Sequence, residues 1–216
     1  AAACDIQALQ VVGREMAVHE VLSVVMRDAD YYRESGGGIT LSGGDPLILS
    51  PRRLDQILTE LRKIAHVRVM RVHTRVPLVA PEKITRQLTD ALRRAAPLFV
   101  VLHANHADEF TRQGQAACAR LVDAGIPMLG QSVLLRGVND DAATLEALLR
   151  RLVENRIKPY YLHHADRANG TAHFRTSLAA GRATEVSATL FRAEIENLIQ
   201  NVTIGFAGAT PELIEP

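Results

Sequence analysis

A chain of 216 residues is long enough for one domain with a full hydrophobic core. Aromatic residues make up only 4% and tryptophan is absent, which argues against a stacking platform for carbohydrate or single-stranded nucleic acid. The formal charge of +1, with acids and bases interleaved, gives no electrostatic case for nucleic acid or an anionic membrane surface.

No apolar run approaches the roughly 18 residues that would suggest a bilayer-spanning helix. The opening Ala1-Ala2-Ala3-Cys4-Asp5 lacks the basic segment and apolar core of a secretory signal. The two cysteines, Cys4 and Cys118, are far apart and supply neither a disulfide framework nor a CxxC pair. The expected compartment is therefore the cytoplasm.

Residues before Gly13 are too mixed to assign. Met16 to Ser35 reads as a helix, with Val18, Val21, Leu22 and Val25 at three-to-four spacing. Gly36-Gly37-Gly38 ends it, and the first strand is expected over Ile39–Ser42. Ser42-Gly43-Gly44-Asp45-Pro46-Leu47 follows, with Ser50-Pro51 as the cap and first turn of another helix. A strand that stops in two glycines lets main-chain groups approach a ligand, because glycine has no Cβ to hold it off. The same stop also serves as a plain turn between strand and helix.

One pattern then repeats. Helices are expected over Pro51–Ala65, Pro81–Ala95, Ala107–Ala124 and Asp140–Asn155. The strands that follow them are Val67–Thr74, Leu98–His103, Pro127–Leu135 and Ile157–His163. Spacing of about thirty residues is that of one βα unit. The strands are continuous apolar runs, as in a parallel sheet covered by helices. A parallel barrel or part of one is favoured over a doubly wound open sheet, since the GxGxxG fingerprint is missing. Arg175 to about Gln200 reads as helix, Val202–Phe206 as a further short strand, and Ala207–Pro216 as surface.

Polar residues gather where these strands end, the functional face of a parallel barrel. They are Ser42-Gly43-Gly44-Asp45, His73-Thr74-Arg75, His103-Ala104-Asn105-His106, Gln131-Ser132 and His163-His164-Ala165-Asp166, with His173 just beyond. Histidines with an aspartate suit a divalent-metal hydrolase. A glycine stop with neutral donors and acceptors suits a large organic cofactor equally well. His103 and His106 could share a metal if the loop between them turns helical.

From Ser42 to about Arg182 the chain resembles the lysine 2,3-aminomutase family of radical S-adenosylmethionine enzymes. The stretches that carry the likeness are Ser42–Leu47, Val72-His73-Thr74-Arg75-Val76-Pro77 and His103–His106. They continue with Gln131–Asp140, Pro159–Asp166 and Gly170–Arg175. Before Ser42, Val12–Met16 and Tyr32–Gly44 resemble activating enzymes of glycyl-radical proteins instead, which suggests a join of two related sequences near Ser42. The divisions are thus 1–41, 42–182 and a tail of 183–216 within a single domain.

The resemblance implies an α/β fold, a partial parallel (β/α)6 barrel entered after its first strand. It implies S-adenosylmethionine, a [4Fe–4S] cluster and pyridoxal phosphate as cofactors. Ser42, Gly43, Gly44 and Asp45 would lie along the methionine end of S-adenosylmethionine, with His103 and Gln131 near the same cofactor. Asp166 matches the acid that receives the ammonium of a lysine substrate. The implied reaction, an isomerisation, is a 1,2-shift of an amino group on lysine or a lysine-like amino acid.

Two departures stand against activity of the chain alone. A CxxxCxxC motif for the cluster is absent, and no lysine follows Lys158 to form the pyridoxal phosphate Schiff base. The alternatives are a glycyl-radical activating enzyme and a non-catalytic barrel that binds S-adenosylmethionine. Without a first strand, the edge near Ile39–Ser42 is expected to lie bare and to invite pairing, including homo-oligomer formation.

Overall fold

The computed structural model describes residues 18–27, 38–42, 44–165, 172–176 and 203–205. Six parallel strands form one sheet: β1 (Gly38–Ser42), β2 (Val69–Thr74), β3 (Leu98–His103), β4 (Met128–Leu134), β5 (Lys158–His164) and β6 (Thr203–Gly205). Their order is β5-β4-β3-β2-β1-β6, so the first five strands lie side by side in chain sequence. The helices are α1 (Val18–Arg27), α2 (Pro51–Arg62), the short α3 (Val76–Val79), α4 (Arg86–Arg94), α5 (Arg112–Asp123) and α6 (Ala142–Glu154). Among the described residues no helix is long and apolar enough to cross a membrane.

Alternation along the strands separates two faces. Ile39, Leu41, Met70, Val72, Val100, Leu102 and Met128 turn towards the helices and join one core with Leu54, Leu58, Leu61, Leu88, Leu92, Leu121, Leu148 and Leu152. Thr40, Arg71, His73, Val101, His103, Gln131, Tyr161 and His163 occupy the alternate positions and line the other face. Helices therefore supply the apolar cover, and the uncovered face is free to be polar.

Most of the expected elements occur, and three departures have local causes. Pro81–Ala95 is not one helix: Pro81–Lys83 is a 3-10 turn, Ile84 is buried, and Thr85 starts α4 by accepting the Leu88 N–H (3.3 Å). Ala107–Ala124 divides likewise, with Thr111 accepting the Gly114 N–H (3.1 Å) at the head of α5. In both, a threonine side chain satisfies a helix-terminal donor and so fixes the start. The third departure is the edge of β1. It is not bare, because Thr40, Leu41 and Ser42 pair in parallel with Thr203, Ile204 and Gly205. The expected helix over Met16–Ser35 is seen as Val18–Arg27; its remainder, the helix from Arg175 and the tail lie outside the described residues.

At Gly130 on β4 a helix side chain lies close against the sheet. A Cβ there would stand 2.9 Å from Leu152 Cδ1, and Leu152 is fully enclosed in the core. Gly130→Val is expected to destabilise the fold by about 1–3 kcal/mol through overpacking, read as a lower urea midpoint at unchanged slope.

Candidate functional site

The loops at the carboxyl ends of β1 to β4 are tied together by side chains. Asp45 Oδ1 accepts from Leu47 N–H (3.1 Å) and the Thr74 hydroxyl (2.7 Å), and Oδ2 accepts from Arg75 N–H (2.6 Å). The Arg75 guanidinium then donates to Glu109 Oε2 (2.7 Å). Glu109 Oε1 accepts from Asn105 N–H (2.6 Å) and His106 N–H (3.0 Å). Asn105 Oδ1 accepts from Val133 N–H (2.9 Å), and Ser132 donates to Ala104 O (2.6 Å). Asn139, wholly buried, donates to Asn105 O (2.8 Å) and Val133 O (2.9 Å) and accepts from Leu135 N–H (2.7 Å). One belt of polar bonds thus runs across four successive loops.

These bonds define what Asp45 does. Its carboxylate is engaged by the chain itself, in three hydrogen bonds that tie the loop after β1 to the loop after β2. Gly44 is half-buried in the bend ahead of it. Ser42 ends β1; Gly43 and Asp166 lie outside the described residues.

Register brings the remaining candidates together on the inner face. His103 on β3 pairs with Gln131 on β4, Gln131 pairs with Tyr161 on β5, and Val133 pairs with His163. The Tyr161 and His163 rings stack at 5.2 Å. His73 lies close enough to His103 and His163 for their charges to be felt at its ring. Gln131 Oε1 is buried without a hydrogen-bond partner; the attraction between Gln131 and the His73 ring falls short of bonding geometry.

The protonation of the two inner histidines follows from burial. His73 is pushed down to about 4, chiefly by loss of solvent and then by the positive charge of Arg71. His103 is also lowered, first by burial and then by Arg75, with Asn105 and Glu109 pulling the other way. Both rings are neutral at pH 7. Since Asn105 Oδ1 already accepts from a main-chain N–H, His103 Nε2 at 3.1 Å is the donor to it. That tautomer leaves Nδ1 of His103 as an acceptor.

Two further histidines serve the loops. His106 caps the Ala107–Glu109 turn, with Nδ1 accepting from Asp108 N–H (3.2 Å). His164 reaches Thr176 O at 3.0 Å. The loop between His103 and His106 is no shared metal site, and no group of three or more metal-ligating side chains occurs among the described residues.

Sequence reasoning named the strand ends, Thr74 among them, but gave Thr74 and Asn139 no role and passed over Arg71 and Glu109. Arg71 carried a signal, being a cation inside the apolar strand Val69-Met70-Arg71-Val72. A hollow of about 610 Å³ opens elsewhere, between α1 and the end of α2, lined by Leu22, Met26, Lys63 and Arg68. It faces the amino ends of the strands, away from these polar groups.

The fit of the implied cofactors can be judged from the residues. S-adenosylmethionine fits: an orphaned acceptor on Gln131, an acceptor nitrogen on His103 and main chain at a glycine stop suit its amine and hydroxyl donors. A cysteine-ligated cluster does not fit. The sequence has two cysteines, and Cys118 is buried in the helix–sheet core with its thiol pushed up to about 12 by burial. A pyridoxal phosphate Schiff base does not fit either. The three lysines are Lys63, Lys83 and Lys158, and Lys158 sits exposed at the amino end of β5, the end opposite the site.

Comparison with known proteins agrees with this geometry. No family model matches the sequence. L-lysine 2,3-aminomutase of Methanococcus maripaludis is 40% identical over 185 residues, 85% of this chain and 40% of that protein. The enzyme of the same name from Clostridium subterminale is 42% identical over 143 residues, 66% of this chain and 34% of its own length. Glutamate 2,3-aminomutase of Clostridioides difficile is 34% identical over 165 residues, 76% and 39% respectively. The chain therefore spans less than half of these relatives.

Among solved structures, a domain of pyruvate-formate lyase-activating enzyme from Bacteroides vulgatus superposes with a TM-score of 0.52 at 16% identity. It covers 78% of this chain and 99% of that one. Streptococcus suis SuiB bound to S-adenosylmethionine gives 0.62 at 14% identity, covering 91% and 45%. A parallel sheet with one helix-covered face and a polar carboxyl-end rim, a partial parallel barrel, is the fold the chain shares with these structures. In sequence the chain is similar, at about 40% identity, to the lysine 2,3-aminomutases.

Two measurements test this geometry. The unfolded chain protonates His73 near 6.5 while the folded chain resists until about 4, so stability is full above pH 6.5 and falls as pH drops towards 4. The expected loss is at most about 3 kcal/mol from this group, and His73→Gln should flatten that slope in urea titrations at pH 7, 6 and 5. Asn139→Leu strands two buried carbonyls and an N–H, and is expected to cost about 3 kcal/mol or more by the same method.

Proposed function

We propose that this chain is the S-adenosylmethionine-binding part of a lysine 2,3-aminomutase-type enzyme, whose reaction is a 1,2-shift of an amino group on lysine or a lysine-like amino acid. The observation that carries the reading is Gln131 Oε1, buried and unbonded beside two neutral histidines at the rim of the barrel. A buried acceptor without a donor costs about 1–3 kcal/mol, which a ligand donor recovers. Named relatives at about 40% identity support the same class.

In this reading Ser42, Gly43, Gly44 and Asp45 meet the methionine end of the cofactor through their main chain. His103 accepts a proton donor of the cofactor at Nδ1, and Gln131 accepts another. Asp166, a carboxylate just after β5, receives the substrate ammonium. When bound, S-adenosylmethionine supplies the radical-forming chemistry of such enzymes. The chain's own residues bind and orient it, and the ring of loops keeps its reactive end at the mouth of the barrel. An amino-acid substrate and a cytoplasmic setting go with this reading.

The experiment is equilibrium dialysis of the chain with S-adenosylmethionine, together with anaerobic reconstitution with iron and sulfide. Binding of S-adenosylmethionine without a cluster is expected, and Gln131→Leu should weaken it about tenfold. Failure of the folded wild-type chain to bind S-adenosylmethionine would sink the reading.

A further inference from the structure

The placement of Arg71 is explained neither by the belt nor by the core. It lies on β2, 7% exposed, on the face turned away from the helices. Its register neighbours are Thr40 on β1 and Phe99 on β3, one pleat below His73. Nε is buried with no hydrogen-bond partner, and no ion pair to the guanidinium forms among the described residues. Its charge is felt both at His73 on its own strand and at Tyr161, three strands away. Arg71 thus shares the inner face of the sheet with His73 and Tyr161.

A guanidinium held this way is expensive. A charge taken out of water without an opposite charge costs several kcal/mol, and arginine cannot relieve it by losing its proton. Around it the described polar groups are neutral or repelled: His73 and His103 are uncharged, and the Tyr161 phenol is raised by burial and stays protonated. Nothing described here neutralises Arg71. What would neutralise it is an anion that enters from the rim and presents two coplanar oxygens to the planar fork.

We propose that Arg71 is an anion subsite on the floor of the barrel, which receives the carboxylate of an amino-acid-type ligand. It rests on the reading above for the kind of ligand, since both S-adenosylmethionine and an amino-acid substrate end in an α-amino carboxylate. Gln131 and His103 accept donors at the rim while Arg71 takes the anion below. The two ends of a zwitterionic ligand are thereby sorted by depth. Arg71 then has a role in affinity and orientation and none in holding the fold.

The test uses the full 216-residue chain with R71M and R71K, melted under circular dichroism in sodium acetate and in sodium chloride of equal ionic strength. Acetate is expected to raise the melting temperature of the wild type above its value in chloride. R71K should keep part of that rise and R71M none. In chloride R71M should melt several degrees higher than the wild type, because its uncompensated charge is gone. No acetate effect in the wild type, or the full effect retained in R71M, overturns the proposal. If R71M melts without cooperativity, R71K decides: a response equal to that of the wild type, or lower stability in chloride, counts against it.

Equilibrium dialysis then separates the two sources of carboxylate, using S-adenosylmethionine against its decarboxylated form and lysine against cadaverine. For the correct pair, loss of the carboxylate and R71M each weaken binding about tenfold, and together no further than either alone. Acetate stabilisation through Arg71 with no binding of S-adenosylmethionine or lysine leaves the subsite standing and the aminomutase reading fallen. S-adenosylmethionine binding that ignores both Arg71 and the carboxylate, with lysine equally indifferent, does the reverse.

Discussion

Parallel strands have no hairpins to hold their ends together, and here side chains do it. Asp45, Glu109 and Asn139 each bridge from one loop to the next, and Arg75 and Asn105 pass the connection along. Each link is a charged group on a main-chain donor or a buried amide with its bonding capacity used. Helix packing fixes the sheet from behind, but it does not set where the loops stand relative to one another. The belt does that, and the placing of His103 and Gln131 depends on it. Asn105 shows the economy: its side-chain oxygen joins β3 to β4 and also sets the tautomer of His103.

The two faces of the sheet follow opposite rules. Behind it, Leu54, Leu92, Leu102 and Leu148 are sealed among helices and supply the apolar burial that holds the domain together. In front, Arg71, His73, His103 and Gln131 are buried or half-buried polar groups whose needs the protein itself leaves partly unmet. Such a surface lowers stability while empty, and sites that bind tightly are often built in this way. Stability and recognition are thus divided between alternate residues of the same strands.

Much of this was readable from the sequence, and the reason is periodicity. Apolar strands of four to nine residues alternating with amphipathic helices give the βα repeat, and the strand ends fall where the polar residues cluster. Leu98–His103 is the same strand in both readings. The starts of α4 and α5 were misplaced because Pro81 and Ala107 open short 3-10 turns, while the true caps, Thr85 and Thr111, lie several residues later. The pairing of β6 with β1 was unreadable, since a three-residue strand far along the chain carries no signal of its partner. At the site, residue types were visible and their employment was not. The sequence marks Asp45 as part of a candidate cofactor stretch but does not show that its carboxylate ties two loops. Arg71 is visible as a cation within an apolar strand, but its burial without a partner is not.

The belt has a kinetic meaning. Loops fastened to one another before any ligand arrives have little conformational freedom left to lose, so little of the binding free energy is spent on ordering them. Encounter with a rim already in its final shape resembles a rigid docking event, with the slow step placed in departure and not in arrival. In a parallel barrel whose loops are otherwise independent, that rigidity comes from a handful of side chains, among them the wholly enclosed Asn139.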